Sequence, residues 1–272
     1  MKRIGTAMPL VSALRQKPTN SPHDSSCSKN SPPSVLSSKN KFIKSVKFSQ
    51  FINDSHNPNT SKTSQPSISI PKKGSGSIRL IYENFNGLCP WQPHNDKITL
   101  IKSILKETAA DGYLGVESRA NWPLLPSKCH LKHIFAGNTP VCTVESYNTY
   151  EQIVRAQEGG TAIIAFDKLA LSIHSSYSDP LGRWCSISIK DINNNLTHIM
   201  VAYQAAKTPS SHLKATYNQQ KRFFRSKGDF QCPKKIFRED LDRILSDWRN
   251  KGDKILLFID ANENLNEIQL NN

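Results

Sequence analysis

The chain is expected to fold as a layered α/β sandwich behind a disordered basic tail, and three observations predict this. Apolar residues with a regular period begin only at Ile78. From there, short runs of strand formers alternate with segments of helical period. Three of those runs end abruptly on Asn, Glu or Asp. Strands and helices in alternation point to a sheet with parallel pairs that is covered by helices.

Residues 1 to 76 are rich in Ser, Pro, Asn, Lys and Thr, and the domain boundary is placed at Gly74-Ser75-Gly76. Twelve Lys and Arg stand in that segment against Asp24 and Asp54, so it carries +10 of the formal net charge of +14. With so few apolar residues it buries too little surface to offset its ordering entropy, and it is expected to stay disordered until it meets a polyanion. Nucleic acid is such a partner, because clustered Lys and Arg release counterions condensed on a phosphate backbone. A solubilising linker accounts for the same composition. Nucleus or cytoplasm is the expected location, although Lys2, Arg3, Arg15 and Lys17 in an acid-free start are also compatible with organelle targeting. No window of about 18 consecutive apolar residues occurs, so no membrane-spanning helix is expected. Six cysteines without a C-x-x-C pair suggest reduced thiols, and Cys129, His130, His133 and Cys142 fit no common zinc spacing.

Residues 78 to 84 form a first strand that breaks into Asn-Phe-Asn-Gly. A helix follows over 96 to 110, with Ile98, Ile101, Ile104 and Leu105 on one face and Asn95 or Asp96 as its cap. Residues 112 to 117 make a second strand ending on Glu117. Four more strands are expected at 159 to 166, 169 to 174, 184 to 189 and 197 to 203, separated by Asp, Pro, Gly and Asn clusters that suggest antiparallel or mixed pairing. Two helices then supply cover, at 211 to 225 and at 234 to 250. The second carries Phe237, Leu241, Ile244, Leu245 and Trp248 in helical period between Pro233 and Gly252. The uninterrupted apolar run 254 to 259 suits a strand buried on both faces, and it leads straight into Asp260-Ala-Asn262.

The polar strand ends are the candidate chemistry: Asn84 with Asn86, Glu117, and Asp260 with Asn262. Singly each has an ordinary explanation, as a turn dipeptide, a strand cap or a side chain bonded to backbone. In layered α/β proteins, however, strand ends are where loops converge to build sites. Oxygen ligands of this kind suit a hard divalent cation.

Three of these segments, in this order, resemble the endonuclease/exonuclease/phosphatase superfamily, which includes apurinic endonucleases and the endonuclease domains of non-LTR retrotransposons. Asn84-Phe-Asn-Gly-Leu88 matches the N-x-[DN]-G-L opening, Gly115-Val-Glu117 the metal-binding glutamate, and Ile259-Asp-Ala-Asn262 the D-x-N strand end. Gly159-Gly160-Thr-Ala and Val201-Ala-Tyr203 are lesser matches, and Thr216-Tyr-Asn-Gln-Gln220 with the helix after it looks like the retroelement branch. The resemblance covers residues 78 to 265 and implies a retroelement-type endonuclease cutting DNA, with RNA as the alternative substrate. It implies Mg²⁺, or Mn²⁺ in its place, held by Glu117 with Asn86 or a water beside it. Asn84 would support the metal ligands, Tyr203 would touch the phosphate, Asp260 would orient or activate the attacking water, and Asn262 would hold the scissile phosphate.

The family's closing Ser-Asp-His segment has no counterpart in the ten residues after Asn262, so the domain at 77 to 272 is expected to be incomplete at its C-terminus. It would be a truncated copy, a fragmentary gene product, or a domain completed by something outside the chain; association with a reverse transcriptase or with a missing C-terminal portion is the partner expectation. Two rival functions stay open: a catalytically dead nucleic-acid-binding remnant, and a phosphatase of the same fold acting on lipids. For nucleic-acid contact the candidates are Lys221, Arg222, Arg225, Lys227, Lys234 and Lys235, interleaved with Tyr217, Phe223, Phe224 and Phe230. An ordinary helix face, with charges solvated and rings turned inward, would look the same.

Overall fold

The computed structural model describes residues 72–74, 76–92, 95–151, 156–191 and 193–263. The basic tail expected up to residue 76 therefore lies almost wholly outside the described residues.

Two four-stranded sheets carry the fold. The first contains β1 (Leu80–Asn84), β2 (Gly112–Val116), β3 (Val141–Ser146) and β4 (Thr161–Phe166) in the order β1-β2-β4-β3. The second contains β5 (Ile173–Ser178), β6 (Trp184–Lys190), β7 (Leu196–Tyr203) and β8 (Lys254–Asp260), in that order. Each sheet has one parallel pair, β1 with β2 and β7 with β8, and its other pairings are antiparallel. A parallel pair needs a crossover, which helix α1 (Asp96–Thr108) supplies for the first sheet. Short helices α2 (Leu131–Ile134) and α3 (Asp167–Ser172) lie in its connections, and α4 (Thr216–Ser226) with α5 (Pro233–Asn250) crosses over the second sheet.

Strand periodicity sorts side chains into layers. Leu114 and Val116 of β2 meet Ile163, Cys185, Ile187, Ile199 and Val201 in a core between the sheets, while Tyr113 points the other way and packs with Phe85, Ile101 and Ile164 beneath α1. On the outer face of the second sheet, Phe237, Leu241 and Leu245 of α5 cover Trp184, Met200 and Ala202. The order is thus helix, sheet, sheet, helix. Burial between the sheets pushes the Cys185 thiol up to about 12.

Gly115 is dictated by packing. A Cβ there would lie 2.2 Å from the Phe85 ring, which stacks on Tyr113 at 5.8 Å between centroids. Helix α1 is capped as its sequence suggests. The Asn95 side chain accepts from the Ile98 N–H at 3.1 Å, and its amide also donates to the carbonyls of Leu88 and Cys89.

Four expectations are corrected. The run 169 to 174 is not one strand: α3 takes its first part and β5 begins at Ile173. Short apolar runs do not distinguish helix from strand, and Asp167-Lys-Leu-Ala-Leu buries only Leu169 deeply. The helix expected from 211 begins at Thr216. Strand β3 was not foreseen, because its Thr143 and Glu145 interrupt the apolar pattern; these residues alternate with Cys142 and Val144, which face the intersheet core. Finally, β8 is not buried on both faces. It pairs with β7 alone among the described residues, and Leu256 and Ile259 are 41% and 38% exposed, while Ile255 and Leu257 face α5 and Phe258 reaches Tyr82.

At the start of β7, His198 lies between Ser188 at 2.8 Å and Asp253 at 2.9 Å, and its ring stacks on Trp248 at 4.0 Å. Both ring nitrogens are engaged and the ring is buried, so this group ties β6, β7 and α5 together.

Candidate active site

The two parallel pairs present their C-terminal ends at the same edge of the sandwich, and the polar strand ends converge there. Asn84, the last residue of β1, donates from its amide nitrogen to Glu117 Oε1 at 3.2 Å and to Asp260 Oδ2 at 3.3 Å. One side chain of the first sheet thus bridges a carboxylate from each sheet. Tyr203 sits opposite Asp260 in the β7–β8 register, and its hydroxyl donates to Glu117. Asn262 folds back, with its N–H on Asp260 Oδ1 at 3.2 Å and its side-chain amide on the Gln204 carbonyl at 2.9 Å.

Backbone conformation at this edge is unusual. Asn86, Glu117, Arg119 and Asn262 all have positive φ, between 43° and 54°, which costs a non-glycine residue on the order of 1 kcal/mol. Surrounding hydrogen bonds hold them there. The Asn84 side-chain oxygen accepts from the Asn86 N–H at 2.8 Å, the Gly87 N–H reaches the Glu117 carbonyl at 2.8 Å, and the Arg119 N–H reaches Gly159 at 2.9 Å. Gly160, with φ of 85°, passes so close that a Cβ would lie 2.6 Å from the Ser118 hydroxyl.

The electrostatics follow from this crowding. Asp260 is raised above the ordinary carboxylate range, first by burial and then by the Glu117 charge. Burial raises the Tyr203 hydroxyl too, with Glu117 and then Asp260 adding to it, so the group stays a protonated donor. The cation in direct contact is Arg119, whose guanidinium meets Glu117 Oε2 at 2.8 Å. Two carboxylates from two sheets, surrounded by amide and phenol oxygens, are suited to a hard divalent cation, which commonly takes one or two carboxylates and completes its shell with water. Among the described residues no group of three or more His, Cys, Asp or Glu gathers, and Cys129 instead lies in the core beneath α1.

Of the residues selected from sequence, Asn84, Glu117, Tyr203, Asp260 and Asn262 come together. Asn86 joins through its backbone N–H while its residue surface is exposed. The basic candidates disperse. Arg222 is fork-paired with Glu151, Lys235 pairs with Glu239 along α5, and Lys221, Arg225 and Lys227 lie on or just past α4. Only Lys234 touches the site, through the Asn262 carbonyl at 3.0 Å. Tyr217 and Phe224 are buried, Phe223 packs on Tyr150, and Phe230 is 77% exposed. Sequence reasoning missed Arg119, Gln204 and Glu263. All three lie within two positions of chosen residues, and their polar character beside a strand end was the available signal.

No protein-family model and no curated protein matches the chain. Solved structures do match it at low identity. They include the catalytic domain of human Nocturnin with bound sulfate, 10% identical, covering 69% of this chain and 64% of that one with a TM-score of 0.42. A D. rerio TDP2 humanised by 14 mutations is 12% identical, covering 71% and 65% with a TM-score of 0.41. A 3'-5' exonuclease from Neisseria meningitidis is 13% identical, covering 61% and 54% with a TM-score of 0.35. The chain thus spans less than two thirds of the length of each of these three.

Proposed function

We propose that the edge formed by Asn84, Glu117, Tyr203, Asp260 and Asn262 is the site of a Mg²⁺-dependent phosphodiester hydrolase of the endonuclease/exonuclease/phosphatase type, with DNA as its substrate. One observation carries the reading: the Asn84 amide holds Glu117 and Asp260 together at 3.2 and 3.3 Å across the two sheets. That convergence joins all three sequence segments that resemble the family.

Bound there, the cation would neutralise charge on the phosphate and on the leaving oxygen. Glu117 and Asp260 would supply its carboxylate oxygens. Asn84 fixes both carboxylates through one oxygen of each, and a cation would have to displace Arg119 from Glu117 Oε2 or share that oxygen with it. Tyr203, kept protonated by burial and by its acidic neighbours, would donate to a non-bridging phosphate oxygen once Glu117 turns to the cation. Asp260 would accept the proton of the attacking water. Asn262, anchored through Gln204, would hold the scissile phosphate.

The test is nicking of supercoiled plasmid by the purified chain in Mg²⁺ or in EDTA, beside Glu117→Gln and Asp260→Asn. Metal-dependent nicking that either substitution reduces at least about 100-fold supports the reading. A folded protein that binds DNA with salt-dependent affinity yet never nicks it would replace the enzyme with a binding domain. Phosphate release from a phosphoinositide with no action on plasmid would move the same site to a lipid substrate.

A further inference from the structure

Beside the candidate site one carboxylate has gathered an unusual set of donors. Glu263, three residues beyond Asp260, presents Oε1 to Arg238 Nη2 at 2.7 Å, to Lys234 Nζ at 3.4 Å and to the Gln204 side-chain amide. Lys234 Nζ also donates to the Asn262 carbonyl at 3.0 Å, so this donor cluster and the scissile-phosphate candidate share a side chain. Two cations, Lys234 and Arg238, thus converge on one carboxylate.

Two other arginine-carboxylate pairs differ. Arg183 is buried between Asp179 and Asp240 as a core tie, and Arg222 locks α4 to Glu151. The Glu263 cluster remains open, with the Arg238 side chain 61% exposed, and it adjoins the segment carrying Asp260 and Asn262. Its donors are of the kind that bind a phosphodiester: a guanidinium, an ammonium and an amide, converging on one carboxylate oxygen.

We propose that Lys234, Arg238 and Gln204 form an anion subsite for a second backbone phosphate of the nucleic acid, filled by the Glu263 carboxylate in the free protein and vacated when the strand binds. The proposal rests on the phosphodiester reading of the neighbouring site. It adds an internal competitor for substrate: Glu263 lowers affinity and raises selectivity for strands long enough to reach past the scissile phosphate.

The test is fluorescence anisotropy of a labelled duplex oligonucleotide, in EDTA so that no cutting occurs, at several salt concentrations. Glu263→Gln is expected to tighten binding about fivefold, equivalent to about 1 kcal/mol. The double substitution Lys234→Gln with Arg238→Gln is expected to weaken binding at least about tenfold and to reduce the log-log salt slope by about two. In that double background Glu263→Gln should have no further effect, which separates a local competitor from general charge. An undiminished Glu263→Gln effect there, or none in the parent chain, overturns the subsite. Binding that none of these changes alters sinks the subsite alone and leaves the nicking result to judge the catalytic reading. Absence of any binding sinks both.

Discussion

Asp260 carries two opposed properties. In the free protein its burial beside Glu117 favours the protonated form, so the folded state holds this proton more tightly than the unfolded chain does. Stability from this group therefore falls as pH rises from the ordinary aspartate value through the raised one, and it is regained on acidification across the same window. Asp260→Asn removes the repulsion, so it should raise the melting temperature at neutral pH in EDTA while removing nicking; a lower melting temperature would show that the charge is already compensated. Asn84→Ala is expected to lose at least about tenfold in nicking, because both carboxylates lose their common donor.

Elements explain why these residues are held in place. The Phe85 ring fills the space above Gly115, so Gly115→Ala should destabilise the fold by roughly 1–3 kcal/mol in urea unfolding, as overpacking of a tight core does. Strands ending on polar residues were legible in the sequence, as were the helices at 96 and 234, because long apolar periods and caps are local signals. Strand β3 was not legible, since Thr143 and Glu145 break its pattern and only pairing with β4 accounts for it. The exposed face of β8 was misread for a similar reason: an apolar run records composition, not which side meets a partner. Arg119 and Glu263 were missed because each acquires meaning only from what folding brings beside it.

For the whole molecule, the site belongs to neither sheet. Glu117 comes from the first and Asp260 from the second, and a cation binding both would bind only the closed sandwich. Saturating Mg²⁺ should therefore raise the melting temperature, by the equivalent of about 2.7 kcal/mol at a concentration 100 times the dissociation constant. In Glu117→Gln that shift should shrink towards zero, and an equal shift in both proteins would place the cation elsewhere. No described helix is long and apolar enough to cross a membrane.

The bridging amide has a further consequence, in the order of synthesis. Asn84 and Asp260 are 176 residues apart, so a chain growing on the ribosome completes β1, α1 and β2 long before β8 exists. At about 5–20 residues per second, roughly 7–29 s separate translation of Glu117 from that of Asp260. During that interval the nascent protein displays one carboxylate and half a site, with the Asn84 amide still waiting for its second acceptor.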